Sequence, residues 1–171
     1  EICGCLAAML RYSTNTKERY ATVEKELEYL DRYIFLLKSR YEHRLEVEVD
    51  CEESVKQEQL PKIVLQQLVE NSIQHGYNNS KNIMKIHVRG WRDETGWYFE
   101  VRDNGQGTTE EVREELNEKM RKIRKKIMSR GSSIELEIGG MGLANTYARM
   151  FLVYNGRAVF RIRNLEEGLS V

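Results

Sequence analysis

The sequence predicts an α/β fold in which helices cover one face of a mixed, mostly antiparallel sheet, after an N-terminal helical segment. The first observation is a strict alternation of apolar and polar residues at 45–50, 84–89 and 97–102, which is typical of half-buried strands. The second is the stretch 62–77, in which an apolar stripe repeats at helical spacing. Because the elements follow one another as strand, helix, hairpin, helix, helix and strands, a two-layer α/β sandwich accommodates them.

Composition narrows the possible classes of protein. The 171 residues contain 27 Lys and Arg and 27 Asp and Glu, so the formal net charge is zero and nucleic acid is not an expected partner. The sequence has no apolar run near the ~20 residues that span a bilayer, and no signal-peptide pattern. Three cysteines without zinc-type spacing favour a reduced, cytoplasmic setting. The chain starts without Met and ends on a strand-like pattern, so we interpret it as a fragment of a larger protein.

Two helices are predicted before the first strand, over residues 2–11 and from the N-cap Thr22 to Tyr41. The apolar residues of the second helix alternate spacings of four and three along its whole length. They are Val23, Leu27, Leu30, Ile34, Leu37 and Tyr41. This period of 3.5 residues indicates a helix packed lengthwise against another helix. We therefore expect a pairing or dimerisation segment; the alternative is a helix that lies on the sheet of its own domain.

The end of the predicted hairpin carries a carboxylate. The turn 93–96 joins two alternating stretches into an antiparallel hairpin. The apolar face of the second strand continues onto Asp103, whose carboxylate would need a hydrogen-bond donor if it is buried. A further strand is suggested by the alternation at Ala158, Phe160 and Ile162.

Two glycine-rich turns are candidates for close contact with a ligand. Asn104-Gly105-Gln106-Gly107 follows Asp103, and its glycines permit positive φ and close backbone approach. Gly139-Gly140-Met141-Gly142 opens a helix, whose free amides and dipole would suit a phosphate. Neither turn fits a P-loop or a dinucleotide-binding βαβ unit. Alone, each turn is equally compatible with a surface loop. The polar face of helix 62–77 is likewise compatible with ordinary solvation.

The three elements together are much more specific. VENSIQHG, DNGQG and GGMGLANTYARM, in this order and spacing, resemble the N box and the two glycine boxes of the GHKL (Bergerat) ATP-binding fold. LRYS at 10–13, the helix containing Glu26-Leu27-Glu28-Tyr29, and Pro61 make the chain similar to sensor histidine kinases of the LytS/YesM type. The resemblance covers nearly the whole chain. It implies a truncated helical linker or dimerisation segment at 1–41 and an ATP-binding catalytic domain at 42–171 with a truncated last strand.

The resemblance also implies a set of ligand-binding residues for ATP and Mg²⁺. These are Asn71, His75, Asp103, Gly105, Gly107, Met141, Gly142 and Leu143. Asn71 would coordinate Mg²⁺ through its amide oxygen, and Asp103 would accept a hydrogen bond from the adenine amine. The two glycines after Asp103 would let the base approach the backbone, and the three residues of the second glycine turn would bring amides to the phosphates. His75 would reach a phosphate or the ribose, or would be a surface histidine at a helix end.

One position departs from the hydrolysing branches of the fold. Their general base is a Glu four residues before the metal-binding Asn, and here that position is Gln67, which cannot take a proton. The resemblance therefore implies transfer rather than hydrolysis, and predicts that Gln67→Glu would raise ATPase activity. Between the glycine turns, residues 108–138 are predicted to form a charged, solvated lid that begins with a Thr108–Glu111 capping box.

The implied reaction is transfer of the γ-phosphoryl group of ATP to a histidine of an upstream helix, and then to an aspartate of a response regulator. His43, His75 and His87 lack the acceptor context, so we expect this fragment to bind ATP without autophosphorylating alone. The full-length protein is expected to be a homodimeric, membrane-anchored receptor with this part in the cytoplasm. The alternatives are another GHKL ATPase or protein Ser kinase, and a degenerate domain that serves only as an interaction module.

Overall fold

The structure is a computed structural model that describes residues 2–15, 17–76, 83–130 and 142–171. Its helices are α1 (Ile2–Thr14), α2 (Val23–Tyr41), α3 (Val64–Gly76), α4 (Glu110–Arg130) and α5 (Gly142–Val153). Its strands are β1 (Tyr20–Thr22), β2 (Leu45–Cys51), β3 (Gln59–Pro61), β4 (Met84–Asp93), β5 (Gly96–Asp103), β6 (Arg163–Asn164) and β7 (Leu169–Ser170). No helix within the described ranges has the length and apolar character needed to cross a membrane.

The main sheet has five strands in the order β2-β4-β5-β7-β6. β2 and β4 run parallel, whereas the other neighbouring pairs are antiparallel. The predicted hairpin is formed by β4 and β5, and Asp93 Oδ1 caps its turn by accepting the amides of Thr95 and Gly96 at 2.7 and 3.2 Å. The mixed, mostly antiparallel sheet predicted from the sequence is confirmed. β1 and β3 form a separate antiparallel pair that the sequence did not reveal.

Helices cover one face of this sheet. α3 lies against β4 and β5, α2 lies against β2, and α5 packs beside α3. The alternating strand residues that face the helices are buried, as with Met84, Ile86 and Val88 of β4 and Val101 of β5. The residues between them on β4 face away from the core and are at least partly exposed. The two-layer α/β sandwich is therefore confirmed.

The apolar seam of α2 is buried inside the chain. Thr22 is its N-cap as predicted, and accepts a hydrogen bond from Lys25 N at 3.3 Å. Val23 and Leu30 belong to the same core cluster as Leu65 of α3. This packing corresponds to the alternative in which α2 lies on its own domain. The division of the chain at residue 41 and a dimerising role stay predictions.

The strand predicted at Ala158, Phe160 and Ile162 is wrong. These three residues are at least partly buried and the residues between them are exposed, so the alternation itself is correct. In the described part of the chain, however, this stretch pairs with no other strand before β6. Alternation indicates which face is buried, but a strand also needs a neighbouring backbone.

The start of α4 differs from the prediction by one residue. Thr109 is the N-cap, because its Oγ1 accepts a hydrogen bond from Val112 N at 3.3 Å. The predicted Thr108–Glu111 capping box is therefore wrong. The side chain of Asn164 holds the backbone of Thr108 instead, accepting from its N–H at 3.0 Å and donating to its carbonyl at 2.7 Å.

One face of α4 is docked rather than solvated. Met120 and Ile127 are buried at its contact with α5, and the guanidinium of Arg124 lies 5.7 Å from the centre of the Phe151 ring. The outward charges pair along the helix, as between Arg121 and Glu118 at 3.0 Å. The rest of the predicted lid, at 131–138, lies outside the described residues.

Candidate functional site

Asp103 lies at the end of β5 and is 6% exposed. Its Oδ1 accepts a hydrogen bond from Gly105 N at 2.9 Å, and the Ser72 hydroxyl of α3 is a second donor. Burial raises the pKa of this carboxyl above its ordinary value of 3.8, while the hydrogen bonds from Gly105 and Ser72 oppose the rise. The prediction that the acid is aimed into the core is confirmed. It is not left without a donor, because the protein itself supplies three, from Gly105, Ser72 and the backbone of Leu169.

Glycine is required at positions 105 and 107, after Asp103, for different structural reasons. A Cβ on Gly105 would lie 2.4 Å from Gly76 Cα and 2.8 Å from Gly76 O, so this position is needed for contact with the end of α3. Gly107 has φ +70°, in the left-handed region that favours glycine. The close approach at Gly105 is thus explained by helix packing. That either glycine also contacts a base stays a prediction.

Two side chains that the sequence did not single out hold this loop. Asn104 Oδ1 accepts the amide of Lys85 at 2.7 Å, and its Nδ2 donates to the carbonyl of Ile83 at 3.0 Å. Gln106 Nε2 donates to the carbonyl of His75 at 3.2 Å. The loop is therefore tied both to the start of β4 and to the last turn of α3. An Asn directly after a strand-ending acid was the available sequence signal, since Asn commonly bonds nearby backbone in turns.

The other wall of the site is the N-terminus of α5. A Cβ on Gly142 would lie 3.8 Å from Asn71 Oδ1, so the amide oxygen of Asn71 faces the first residue of this helix. The first amides of a helix have no partner within it and carry the positive end of the dipole. Leu143 is buried and anchors the start of α5, whereas Gly139, Gly140 and Met141 lie outside the described residues. Two elements 71 residues apart in sequence are thus brought together.

The polar face of α3 is divided among several partners. Asn71 is partly buried near α5, while the side chain of His75 is exposed. Gln67 is directed sideways to α5, because its Oε1 accepts from Thr146 Oγ1 at 3.2 Å and from Arg149 Nη1 at 3.3 Å. Gln67, which the resemblance predicts to occupy the general-base position, therefore joins two helices here. A role of His75 toward phosphate or ribose stays a prediction.

The first turn of α3 is capped by a carboxylate from another helix. Glu26 of α2 is 0% exposed, and it accepts hydrogen bonds from Ile63 N at 2.7 Å, Leu65 N at 3.4 Å and the hydroxyl of Tyr12 at 2.7 Å. Ile63 has φ +67°, so the helix begins at Val64 and not at residue 62 as predicted. Burial raises the pKa of Glu26, although its hydrogen bonds oppose the rise. The sequence analysis named Glu26 only as part of a helical motif, and missed its burial and its contact with α3.

Comparisons with known proteins identify the family of this chain. Residues 56–168 match the family described as histidine kinase-, DNA gyrase B- and HSP90-like ATPases, and residues 1–45 match the histidine kinase family. The first match covers more than half of the chain. The chain therefore belongs to this ATPase family and corresponds to the ATP-binding catalytic region of a sensor histidine kinase.

Among its relatives are sensor proteins LytS. The chain is 33% identical to LytS of Enterococcus faecalis over 149 residues, which is 86% of this chain and 23% of that protein. It is also 33% identical to LytS of Bacillus subtilis over 97 residues, 57% of this chain and 16% of that protein. The chain thus spans less than a quarter of the length of these relatives. The family and the LytS likeness inferred from the sequence are confirmed.

A solved structure shows the same fold. The histidine kinase domain of a blue-light activated histidine kinase from Erythrobacter litoralis superposes with a TM-score of 0.55 at 13% identity. The alignment covers 99% of this chain and 74% of that chain. At this identity, the likeness supports the fold alone.

Proposed function

We propose that this chain binds Mg-ATP between the end of β5 and the start of α5, and presents the γ-phosphoryl group for transfer to a histidine. The observation that carries the proposal is the placement of two consecutive residues of α3. The oxygen of Asn71 faces the N-terminus of α5, and Ser72 donates to the buried Asp103. One helix therefore lies between a wall suited to phosphates and a buried acceptor suited to the adenine amine.

The residues at this site suit Mg²⁺ better than a metal held entirely by protein. Within the described ranges, no group of three or more His, Cys, Asp and Glu side chains forms a metal cage. Mg²⁺ typically takes one or two protein oxygens and completes its shell with phosphate oxygens and water. Asn71 Oδ1 would be its protein ligand. When bound, the metal would neutralise charge that develops on the transferred phosphoryl group.

The surroundings of Gln67 support transfer over hydrolysis. A water molecule attacks phosphate efficiently only when a base accepts its proton, and a neutral amide cannot do so. The oxygen of Gln67 is also occupied by Thr146 and Arg149. The contribution of this chain is thus to bind and orient ATP, so that the acceptor is the nucleophile that a partner helix supplies.

The acceptor and the partners of the whole protein follow from the family. We expect a histidine on a helix upstream of α1 to take the phosphoryl group, and an aspartate of a response regulator to take it next. His43, His75 and His87 are not expected to be phosphorylated, so this chain alone would bind ATP and form no phosphohistidine. Its homodimeric, membrane-anchored context is proposed from its likeness to sensor proteins.

Calorimetric titration of ATP into the 171-residue chain, with and without Mg²⁺, tests the proposal. We expect Asn71→Ala to abolish most of the gain in affinity that Mg²⁺ brings, because the metal loses its protein ligand. Asp103→Ala should weaken binding in both conditions, because it removes the acceptor for the base. Gln74→Ala is the matched control, since Gln74 is an exposed amide on the same helix.

The outcomes separate the alternatives. If the wild-type chain binds no nucleotide, the interaction-module alternative gains and the proposal is wrong. If it binds, a separate segment carrying the acceptor histidine is added together with ATP. Acid-labile phosphate on that segment supports the kinase, whereas release of inorganic phosphate without such labelling supports the ATPase.

A further inference from the structure

The buried Glu26 lies at the junction of three helices. It is a residue of α2, it accepts the first amides of α3, and it receives the hydroxyl of Tyr12 at the end of α1. An ionised carboxylate without solvent is stable only when hydrogen bonds or cations compensate it. Each of these donors is therefore needed to hold the carboxylate in place, and the loss of one would alter the others.

Two cationic side chains, the buried Lys62 and the partly buried Arg149, extend this junction. Lys62 Nζ donates to the carbonyls of Tyr12 and Asn15, and lies 4.1 Å from the centre of the Tyr12 ring. Arg149 Nη2 donates to the carbonyl of Lys62 at 2.5 Å, and its charge interacts favourably with Glu26. The end of α1 is thus bound to the start of α3 in two ways, through the hydroxyl of Tyr12 and through the backbone carbonyls of Tyr12 and Asn15.

The same arginine continues the contact into the candidate nucleotide site. Arg149 Nη1 donates to Gln67 Oε1 on α3, and Gln67 also accepts from Thr146 of α5. The single hydroxyl hydrogen of Thr146 is shared between Gln67 and the carbonyl of Gly142, which lies 2.9 Å away, one turn earlier on α5. Gly142 is the residue that Asn71 faces. A continuous set of polar contacts therefore runs from Tyr12 to the two elements that would hold the phosphates.

We propose that Glu26 is a positioning residue of the nucleotide site. We also propose that the hydrogen bond from Tyr12 makes the contact of Glu26 with α3 depend on the docking of α1. This inference rests on the proposed binding of Mg-ATP. The carboxylate fixes where α3 begins, and so fixes the position of Asn71 two turns later. When α1 is docked, Tyr12 supplies the third donor and Lys62 is held by the carbonyls at the end of α1. Docking of α1 and binding of nucleotide are then coupled.

Coupling of this kind is reciprocal. If a docked α1 favours nucleotide binding, bound nucleotide must favour the docked α1 to the same extent. If Tyr12 and Glu26 only stabilised the fold, their loss would lower the protection of α1 equally with and without nucleotide, and nucleotide would still slow exchange in the variants. The reciprocal effect is therefore the measurement that distinguishes positioning from simple structural support.

Two variants and two matched controls test the inference. Tyr12→Phe removes the hydroxyl and keeps the ring that packs against Tyr29 and under the Lys62 ammonium. Glu26→Gln removes the charge at similar volume. Tyr20→Phe and Glu28→Gln are the controls, since both side chains are exposed and near the junction in sequence. We expect both test variants to weaken Mg-ATP affinity about five- to tenfold, and both controls to bind as the wild type does.

Hydrogen exchange at the amides of α1 is the second measurement. Saturating Mg-ATP should slow exchange there several-fold in the wild type and in Tyr20→Phe, and should have no effect in Tyr12→Phe. Wild-type affinity in Tyr12→Phe would overturn the inference. So would weaker affinity in Tyr12→Phe if nucleotide did not slow exchange of α1 in the wild type, or slowed it equally in the variant. If the wild type binds no Mg-ATP at all, the proposed function fails as well. If Glu26→Gln does not fold, Tyr12→Phe decides alone.

Discussion

Gln67 on α3 and Arg149 on α5 are joined by a hydrogen bond from Nη1 to Oε1 at 3.3 Å. The sequence suggested only that residue 67 occupies the place of a catalytic base and lacks the chemistry for it. The structure adds that its side chain is directed at a neighbouring helix. Arg149 is partly buried, and burial lowers its pKa, so it benefits from every acceptor within reach. The residue at this position therefore contributes to the alignment of the two helices that form the site.

This contact changes the result expected for Gln67→Glu. A carboxylate at residue 67 would pair with the guanidinium of Arg149, which keeps it from accepting a proton from water. We therefore expect no increase in phosphate release under saturating Mg-ATP, contrary to the inference from the motif alone. A charged acceptor should stabilise the chain by about 1 kcal/mol, or roughly 2–4 °C in Tm. Gln74→Glu is the control, and a tenfold rise in phosphate release specific to Gln67→Glu would refute this expectation.

Binding of ATP should depend on the ionisation of Asp103. Burial raises the pKa of this carboxyl above 3.8, so it takes up a proton at a higher pH than an exposed aspartate does. Only the ionised form is a strong acceptor for the adenine amine. We expect affinity to rise as pH increases through the raised pKa, and to level off above it.

The comparison with Asp103→Asn isolates this effect. The nucleotide has titrations of its own, but they are the same for both proteins. The ratio of wild-type to variant affinity, measured by calorimetry from the lowest pH at which both proteins stay folded up to neutral pH, should therefore increase with pH and then become constant. A ratio that is constant over the whole range, or that falls as pH rises, would argue against Asp103 as the ionised acceptor.

The contact between the glycine loop and α3 predicts a large effect for Gly105→Ala. The new methyl group would meet the backbone of Gly76 at 2.4 Å, and neither segment has a flexible side chain there that can move away. We expect a loss of about 2–3 kcal/mol in unfolding free energy and weaker nucleotide binding, measured by denaturant unfolding and calorimetry. Gly4→Ala is the control: it has open space around it in α1, and should gain about 0.5–1 kcal/mol. Equal stability of Gly105→Ala and wild type would contradict the prediction.

Features set by local pattern could be predicted from the sequence. The burial of Asp103 follows from strand alternation, and the placement of Asn71 on a polar face follows from helical spacing. Both depend on residues within a few positions of each other. The same local logic failed for the strand at 158–162, because the pattern contains no information about whether a neighbouring strand is available.

The contacts missed by the sequence are those between distant segments. Glu26 lies 37 residues before Ile63, and Gln67 lies 82 residues before Arg149, so no spacing rule connects them. One signal was present for Glu26. It follows Val23 by three residues and precedes Leu30 by four, which places it on the apolar face of α2. A charged residue on such a face indicates a buried partner, although it does not identify that partner.

Two methionines of α4, one buried and one exposed, form a matched pair that tests the docking of α4 on α5. Met120 is 6% exposed and packs into the core cluster, whereas Met128 is 71% exposed. We expect Met120→Ala to lower the unfolding free energy by about 2–3 kcal/mol and to increase proteolysis within α4, because the helix loses its hold on α5. Met128→Ala, which removes the same atoms from solvent, should stay within about 0.5 kcal/mol of wild type. Denaturant unfolding and limited trypsin digestion are the measurements. If the two variants behave alike, α4 is not docked in solution as it is in the structure.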